Sequence, residues 1–349
     1  MKIFGFVKPT VCKKTSISLT IVLLFLLLAC RGGERRSNDT LWTPTEPYRT
    51  GYLKVSDLHE IFYQLGGNPD GKPVIVLHGG PGAGCYPWYF RYFNPEKFHI
   101  ILHDQRGAGQ SKPYAELKEN TTKNLVEDIE KLRKFLNLDK VILFGGSWGT
   151  TLALVYAETY PENVSGMILR GVFTATKAEI DHFYHGGTAH YFPENFYRLV
   201  EQIEKPDEHN YAVQLLERIQ SSDSSVSKTA AEEWARYEGK ISSINLPDSE
   251  LDAILKQWPF FAFSLIENFY MANNCFLEEG QLFNNSKSIA DVPAIMINGR
   301  YDIICPPITA YNLHKKLPKS KLWIIEGAGH SSGEPGIEAA LVRAAREFE

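Results

Sequence analysis

The run Val141-Ile142-Leu143-Phe144-Gly145-Gly146-Ser147-Trp148-Gly149 constrains this chain more than any other stretch. Its first four residues read as a short buried strand. The Gly-x-Ser-x-Gly that follows, with the helical pattern from Thr150 to Tyr160, sets a serine on a tight strand-to-helix turn. Glycines flank it because such a turn leaves no room for side chains on its neighbours. The Ser147 hydroxyl is thereby pushed out above the end of a sheet. A serine presented in this way is a candidate nucleophile, and it needs a base.

Two partners follow in chain order. Pro293 to Gly299 reads as a buried strand with Asp302 just past its end, and Leu322 to Ile325 reads as another, followed by Gly327-Ala328-Gly329-His330. A histidine, with an intrinsic pKa of ~6.5, suits the base. Asp302 would hold the His330 tautomer and stabilise the imidazolium. Serine, acid, histidine, each after a strand, resembles the order of α/β hydrolases.

Val74 to Leu77 is a further buried strand, leading into His78-Gly79-Gly80-Pro81-Gly82. Acyl transfer builds negative charge on a carbonyl oxygen, and fixed backbone N–H groups stabilise it. The expected donors are Gly80 and Trp148; Pro81 has no N–H. His78 is expected to be a structural hydrogen-bonding residue.

The 349 residues suffice for a large core, and 44% hydrophobic content fits a globular protein. A net charge of −4 without a basic stripe gives no reason to expect a nucleic-acid partner. His182, His185 and His190 cluster without a cysteine and read as surface or cleft residues rather than a metal site.

Residues 1–30 read as a targeting segment. Lys13 and Lys14 precede a 13-residue apolar stretch, Ile17 to Ala29, short of the ~20 residues that a membrane span needs. Leu27-Leu28-Ala29-Cys30 resembles a bacterial lipoprotein cleavage box, with Cys30 as the lipidation site. The expectation is an extracytoplasmic enzyme tethered to a membrane through an N-terminal lipid, with residues 31–48 as linker. The competing reading is an uncleaved anchor. Cys85, Cys275 and Cys305 remain in the mature chain, an odd number that leaves at least one free thiol.

Residues 49–173 and 289–349 alternate strands with helices, as in a mostly parallel doubly wound sheet. Gly51 to Leu65 looks like a hairpin, and 123–136 like an amphipathic helix capped by Thr121 or Thr122. Residues 174–288 break the alternation and are expected to fold over the site as a helical cap.

Together these runs resemble the proline iminopeptidases of the α/β-hydrolase superfamily. The resemblance rests on His78 to Gly82, Asp104-Gln105-Arg106-Gly107, Asn120-Thr121-Thr122, Gly145 to Gly149, Gly299 to Asp302 with Cys305-Pro306, and Gly327 to His330. In the cap it adds Phe192-Pro193-Glu194, Trp234 to Glu238, and Ile266-Glu267-Asn268 with Tyr270. Tyr237, Ala108 and Phe269 depart from the family pattern, and none touches the triad.

The resemblance implies an α/β-hydrolase fold with an inserted cap, release of N-terminal proline from peptides through an acyl-enzyme, and no cofactor or metal. A free cationic amine needs a carboxylate partner. The family match points to Glu238, and Glu267 is the best supported among Glu208, Glu217, Glu232, Glu233 and Glu267. Alternatives are a broader aminopeptidase, an ester or amide hydrolase of the same fold, and a non-catalytic binding protein.

Overall fold

A computed structural model of the chain describes residues 39–349. Residues 1–30, with Cys30, and residues 31–38 of the expected linker lie outside them. Among the described residues no helix is long and apolar enough to cross a membrane.

The frame is an eight-stranded sheet. Its strands are β1 (Arg49–Lys54), β2 (Glu60–Gly67), β3 (Lys72–Leu77), β4 (Phe98–His103), β5 (Val141–Gly146), β6 (Val164–Arg170), β7 (Ala294–Gly299) and β8 (Ser320–Ile325). They lie in the order β1-β2-β4-β3-β5-β6-β7-β8. The hairpin β1–β2 and the pair β2–β4 are antiparallel; every other pair is parallel. The central parallel strands are apolar in almost every position because helices cover both faces of the sheet.

Successive residues of a strand point to opposite faces, so each strand feeds two cores. Val74, Val76, Ile142, Phe144, Ile295 and Ile297 pack with Phe90, Tyr92, Ile337 and Leu341. Ile75, Leu77, Leu143, Met167, Leu169 and Met296 pack on the other side, with Leu125, Ile129 and Leu152.

Helix α1 (Thr122–Phe135) supplies Leu125 and Ile129. Thr121 caps it, accepting from the N–H of Asn124, while the Thr122 hydroxyl donates to the carbonyl of Cys275. Helix α2 (Trp148–Thr159) starts at the residue after Ser147 and is buried over its first ten residues.

Between β6 and β7 the chain is helical: α3 (Lys177–Tyr184), α4 (Pro193–Val200), α5 (Tyr211–Ile219), α6 (Ser224–Ile241), α7 (Asp248–Gln257), α8 (Phe260–Ala272) and α9 (Gln281–Asn284). Aromatic rings hold these helices together. Tyr184 stacks on Trp234 at 4.7 Å and Phe183 on Tyr237 at 5.8 Å. Each such pair adds about 0.5–1.5 kcal/mol beyond area burial. Tyr237, a departure from the family pattern, is buried here, and its hydroxyl donates to the carbonyl of Phe183 at 3.0 Å. Helices α10 (Pro307–His314) and α11 (Pro335–Arg346) complete the sheet half.

Candidate active site

Ser147 has φ 55° and ψ −125°, a conformation in which a side chain is costly and which only a rigid surround maintains. The surround is backbone. A Cβ on Gly145 would lie 2.3 Å from the carbonyl oxygen of Gly149, and one on Gly149 would lie 2.1 Å from that of Leu77. The motif glycines are therefore required by contact. The N–H of Ser147 donates to the carbonyl of Arg170 at 2.8 Å, fixing the turn to the end of β6.

Asp302 follows β7. Its Oδ1 accepts from the N–H groups of Ile304 (3.1 Å) and Cys305 (2.8 Å), and its Oδ2 lies 2.8 Å from Nδ1 of His330. All of this is buried. The carboxylate takes the Nδ1–H, which leaves the Nε2 lone pair as acceptor. Nη1 of Arg170 lies 3.1 Å from that Nε2 and also donates to the carbonyl of His330 at 3.1 Å. Cys305 is one of three buried, unpaired thiols, with Cys85 and Cys275. Burial and the nearby Asp302 push the Cys305 thiol well up, opposed by a hydrogen bond with Ser147.

The two expected oxyanion donors are tied to each other through Gln105. His78 Nδ1 meets the carbonyl of Gly79 at 2.9 Å, and its Nε2 accepts from the N–H of Gln105 at 3.0 Å. Gln105 donates through Nε2 to the carbonyl of His78 at 2.9 Å, and its Oε1 accepts from Nε1 of Trp148 at 3.0 Å. His78 thus acts structurally, as its neutral form must, since burial lowers its pKa to about 4. Trp148 opens α2, and first-turn N–H groups have no acceptor within their own helix. The oxyanion loop touches the elbow: a Cβ on Gly79 would lie 3.1 Å from the carbonyl oxygen of Gly146.

Gly80, Ser147, Arg170, Glu238 and His330 line one cleft of about 1220 Å³. Glu238 lies one turn after Trp234 on α6, and Glu267 on α8 stands behind it. Trp234 Nε1 donates to Glu267 Oε2 at 2.7 Å. Oε2 of Glu238 is buried without a hydrogen-bond partner among the described residues. The two carboxyls act on each other's proton affinity. Burial raises both proton affinities; Glu238 raises that of Glu267 further, whereas His330 and Arg170 favour ionised Glu238. Of the two carboxyls, Glu267 therefore holds a proton the more tightly.

The other four acids named from the sequence do not line this cleft. Glu233 pairs with Arg198, Glu232 with Arg236 and Glu208 with Lys205, while Glu217 borders a small separate depression. His182 is committed to the carbonyl of Ile303 at 2.7 Å, and His185 to Asp181. Arg170 has no place among the motifs singled out from the sequence. The signal for it is an arginine ending an otherwise apolar strand, Met167-Ile168-Leu169-Arg170, at the sheet edge where ligands bind.

Residues 72–336 match the family model described as alpha/beta hydrolase fold. A protein of Leptolyngbya boryana named "Probable proline iminopeptidase" is 45% identical over 310 residues, 88% of this chain and 96% of the relative. The "Proline iminopeptidase" of Arabidopsis thaliana is 42% identical, over 87% of this chain and 80% of the relative. A crystal structure of proline iminopeptidase from Mycobacterium smegmatis superposes with a TM-score of 0.59 at 17% identity, over 86% of this chain and 98% of that one, a likeness of fold.

Proposed function

This chain belongs to the proline iminopeptidase family of α/β hydrolases, and from that premise we propose that it releases N-terminal proline from peptides through an acyl-enzyme on Ser147. The observation that carries the reading is the acid pair. A buried carboxyl pair whose Glu238 has one unpartnered buried oxygen and lines the cleft that holds Ser147 is a site for a cation. A free N-terminal amine is the cation that a peptide offers. An ester pocket has no use for it.

In this mechanism Glu238 binds the ammonium, with Glu267 behind it. The Ser147 hydroxyl oxygen attacks the carbonyl carbon of the first residue while its proton passes to Nε2 of His330. Arg170 must give up Nε2 for this step. Asp302 keeps Nδ1–H in place and stabilises the imidazolium. The oxyanion lies between the N–H groups of Gly80 and Trp148. Collapse breaks the C–N bond, and His330 returns the proton to the leaving amine. Water then attacks the acyl-enzyme with His330 again as base.

The test is hydrolysis of proline p-nitroanilide beside its N-acetyl derivative and alanine p-nitroanilide, with Ser147→Ala as control. Proline cleaved well above both others, and a loss of several orders of magnitude in Ser147→Ala, is the expected result. Equal cleavage of the acetylated compound overturns the amine site.

We also propose that residues 1–30 are a lipoprotein-type signal, with Cys30 as the acceptor, tethering the enzyme to a membrane outside the cytoplasm. The support is the basic Lys13-Lys14, the apolar run and Ala29-Cys30. Lipid label persisting in Cys30→Ser would refute it.

A further inference from the structure

We infer that the cleft beyond His330 is a leaving-group subsite built for a large apolar residue directly after the N-terminal proline. This rests on the aminopeptidase reading above.

The cleft holds about 1220 Å³, whereas roughly 300–1,000 Å³ encloses a whole drug-sized ligand. A prolyl residue fills a small part of it. Its amine end is assigned to Glu238 and its carbonyl to Ser147. What continues past the scissile bond must leave on the side of His330, because His330 delivers the proton to the departing nitrogen.

Ile244 is 47% exposed, yet its Cγ1 lies 3.3 Å from the position of a Cβ on Gly329, the residue before His330. It is a held side chain rather than a loose loop tip. The N–H of Ile244 donates to Oε1 of Glu334 at 2.9 Å, and Oε2 of the same carboxylate accepts from the N–H of Gly329. The N–H of Ser331 donates to the carbonyl of Ser242 at 2.7 Å. Two hydrogen bonds therefore clamp the turn after α6 to the loop that carries His330, and a third holds Glu334 within that loop.

Trp258, which also lines the cleft, packs on Phe263 at 4.6 Å, and Phe263 approaches the oxyanion loop at Gly80. Ile254, 45% exposed, and Tyr86, also 45% exposed, line the remaining walls with Leu246. Large apolar side chains left open along the cleft gain only when something apolar covers them.

Charge narrows the occupant. Arg170 is the one arginine or lysine lining the cleft among the described residues, and it is engaged with His330. Glu250, Glu326 and Glu334 line the cleft as well. An acidic residue after proline meets this field unfavourably, and an uncharged apolar one does not.

The experiment compares kcat/KM for prolinamide and for Pro-Gly-amide, Pro-Asp-amide, Pro-Leu-amide and Pro-Phe-amide, in the wild type, Ile244→Asp and Ile254→Asp. The expected result is Pro-Phe-amide above Pro-Gly-amide by about tenfold or more, the yield of burying one large apolar side chain, with Pro-Asp-amide lowest. Each aspartate variant lowers the Phe-to-Gly ratio. The ratio is the readout, so a variant that merely yields less active protein changes both rates alike. Equal wild-type rates on the Phe and Gly amides, or a ratio untouched by both variants, overturn the subsite. Failure to cleave even prolinamide would instead refute the aminopeptidase reading.

Discussion

Nη1 of Arg170 lies 3.1 Å from Nε2 of His330, the nitrogen that receives the Ser147 proton in the proposed mechanism. The resting base is thus engaged by a cation that substrate must displace. The same guanidinium acts on the acid pair, since its charge favours ionised Glu238 against the effect of burial. Arg170→Met therefore raises the proton affinity of Glu238 further. The expected outcome is a KM for proline p-nitroanilide raised roughly tenfold at pH 6, one pKa unit being tenfold, and less at pH 8. An equal change at both pH values would refute the link.

Glu238→Gln and Glu267→Gln separate binding from stability. Removing either carboxyl is expected to raise KM by roughly a hundredfold, within the range for truncating a buried charge pair. Stability moves the other way. Burial and Glu238 hold the folded-state pKa of Glu267 well above its unfolded value. Such a carboxyl contributes stability below its unfolded pKa, and that contribution is lost as pH rises through the folded value. Glu267→Gln should thus unfold at a higher temperature than wild type at pH 8, with little difference near pH 4. Thermal unfolding at the two pH values checks this.

His78 carries the opposite sign. Burial lowers its pKa to about 4, while the unfolded chain titrates near ~6.5. Its contribution is present above the unfolded value and lost as pH falls from there to about 4, on the order of 3 kcal/mol. Protonation would also break the bond that Nε2 accepts from the Gln105 N–H. Urea unfolding from pH 7 to 4.5 should show this loss, and His78→Gln should flatten part of it.

Gly171 has φ +58°, and a Cβ there would lie 2.9 Å from Cε1 of His330 and 3.3 Å from Oδ2 of Asp302. Gly171→Ala is expected to lower kcat about a hundredfold, the cost of misplacing reacting groups by about 1 Å. Wild-type kcat in a folded Gly171→Ala would show that the triad tolerates the shift.

What could be read from the sequence follows a physical division. Ser147, Asp302 and His330 each end a short apolar strand, so a local pattern marks both the residue and its place at the sheet edge. The oxyanion segment is local in the same way. Glu238 and Glu267 are 29 positions apart on two helices whose packing no local pattern encodes, and only the family resemblance singled them out. Glu232 and Glu233 sit as close to Trp234 in sequence, but their helix faces point them to Arg236 and Arg198. Arg170 belongs to no spacing rule; its role appears only when the end of β6 is set beside the loop after β8. Ile244 is an isoleucine in a turn until Glu334, ninety residues later, clamps it beside His330.

The chain leaves the sheet at Arg170 and returns at Ala294, yet β6 and β7 are hydrogen-bonded neighbours. Both ends of the helical insertion therefore open onto the same gap between adjacent strands. Its length is free of the spacing of the sheet, and so is its shape. Ser147, Asp302 and His330 all lie outside it, while Glu238, Glu267, Ile244 and Ile254 lie within it. With the roles proposed above, bond breaking and substrate choice are encoded in separable stretches of one chain. A graft that exchanges the insertion at these two strand ends would pass the same hydrolytic machinery to a different set of substrates.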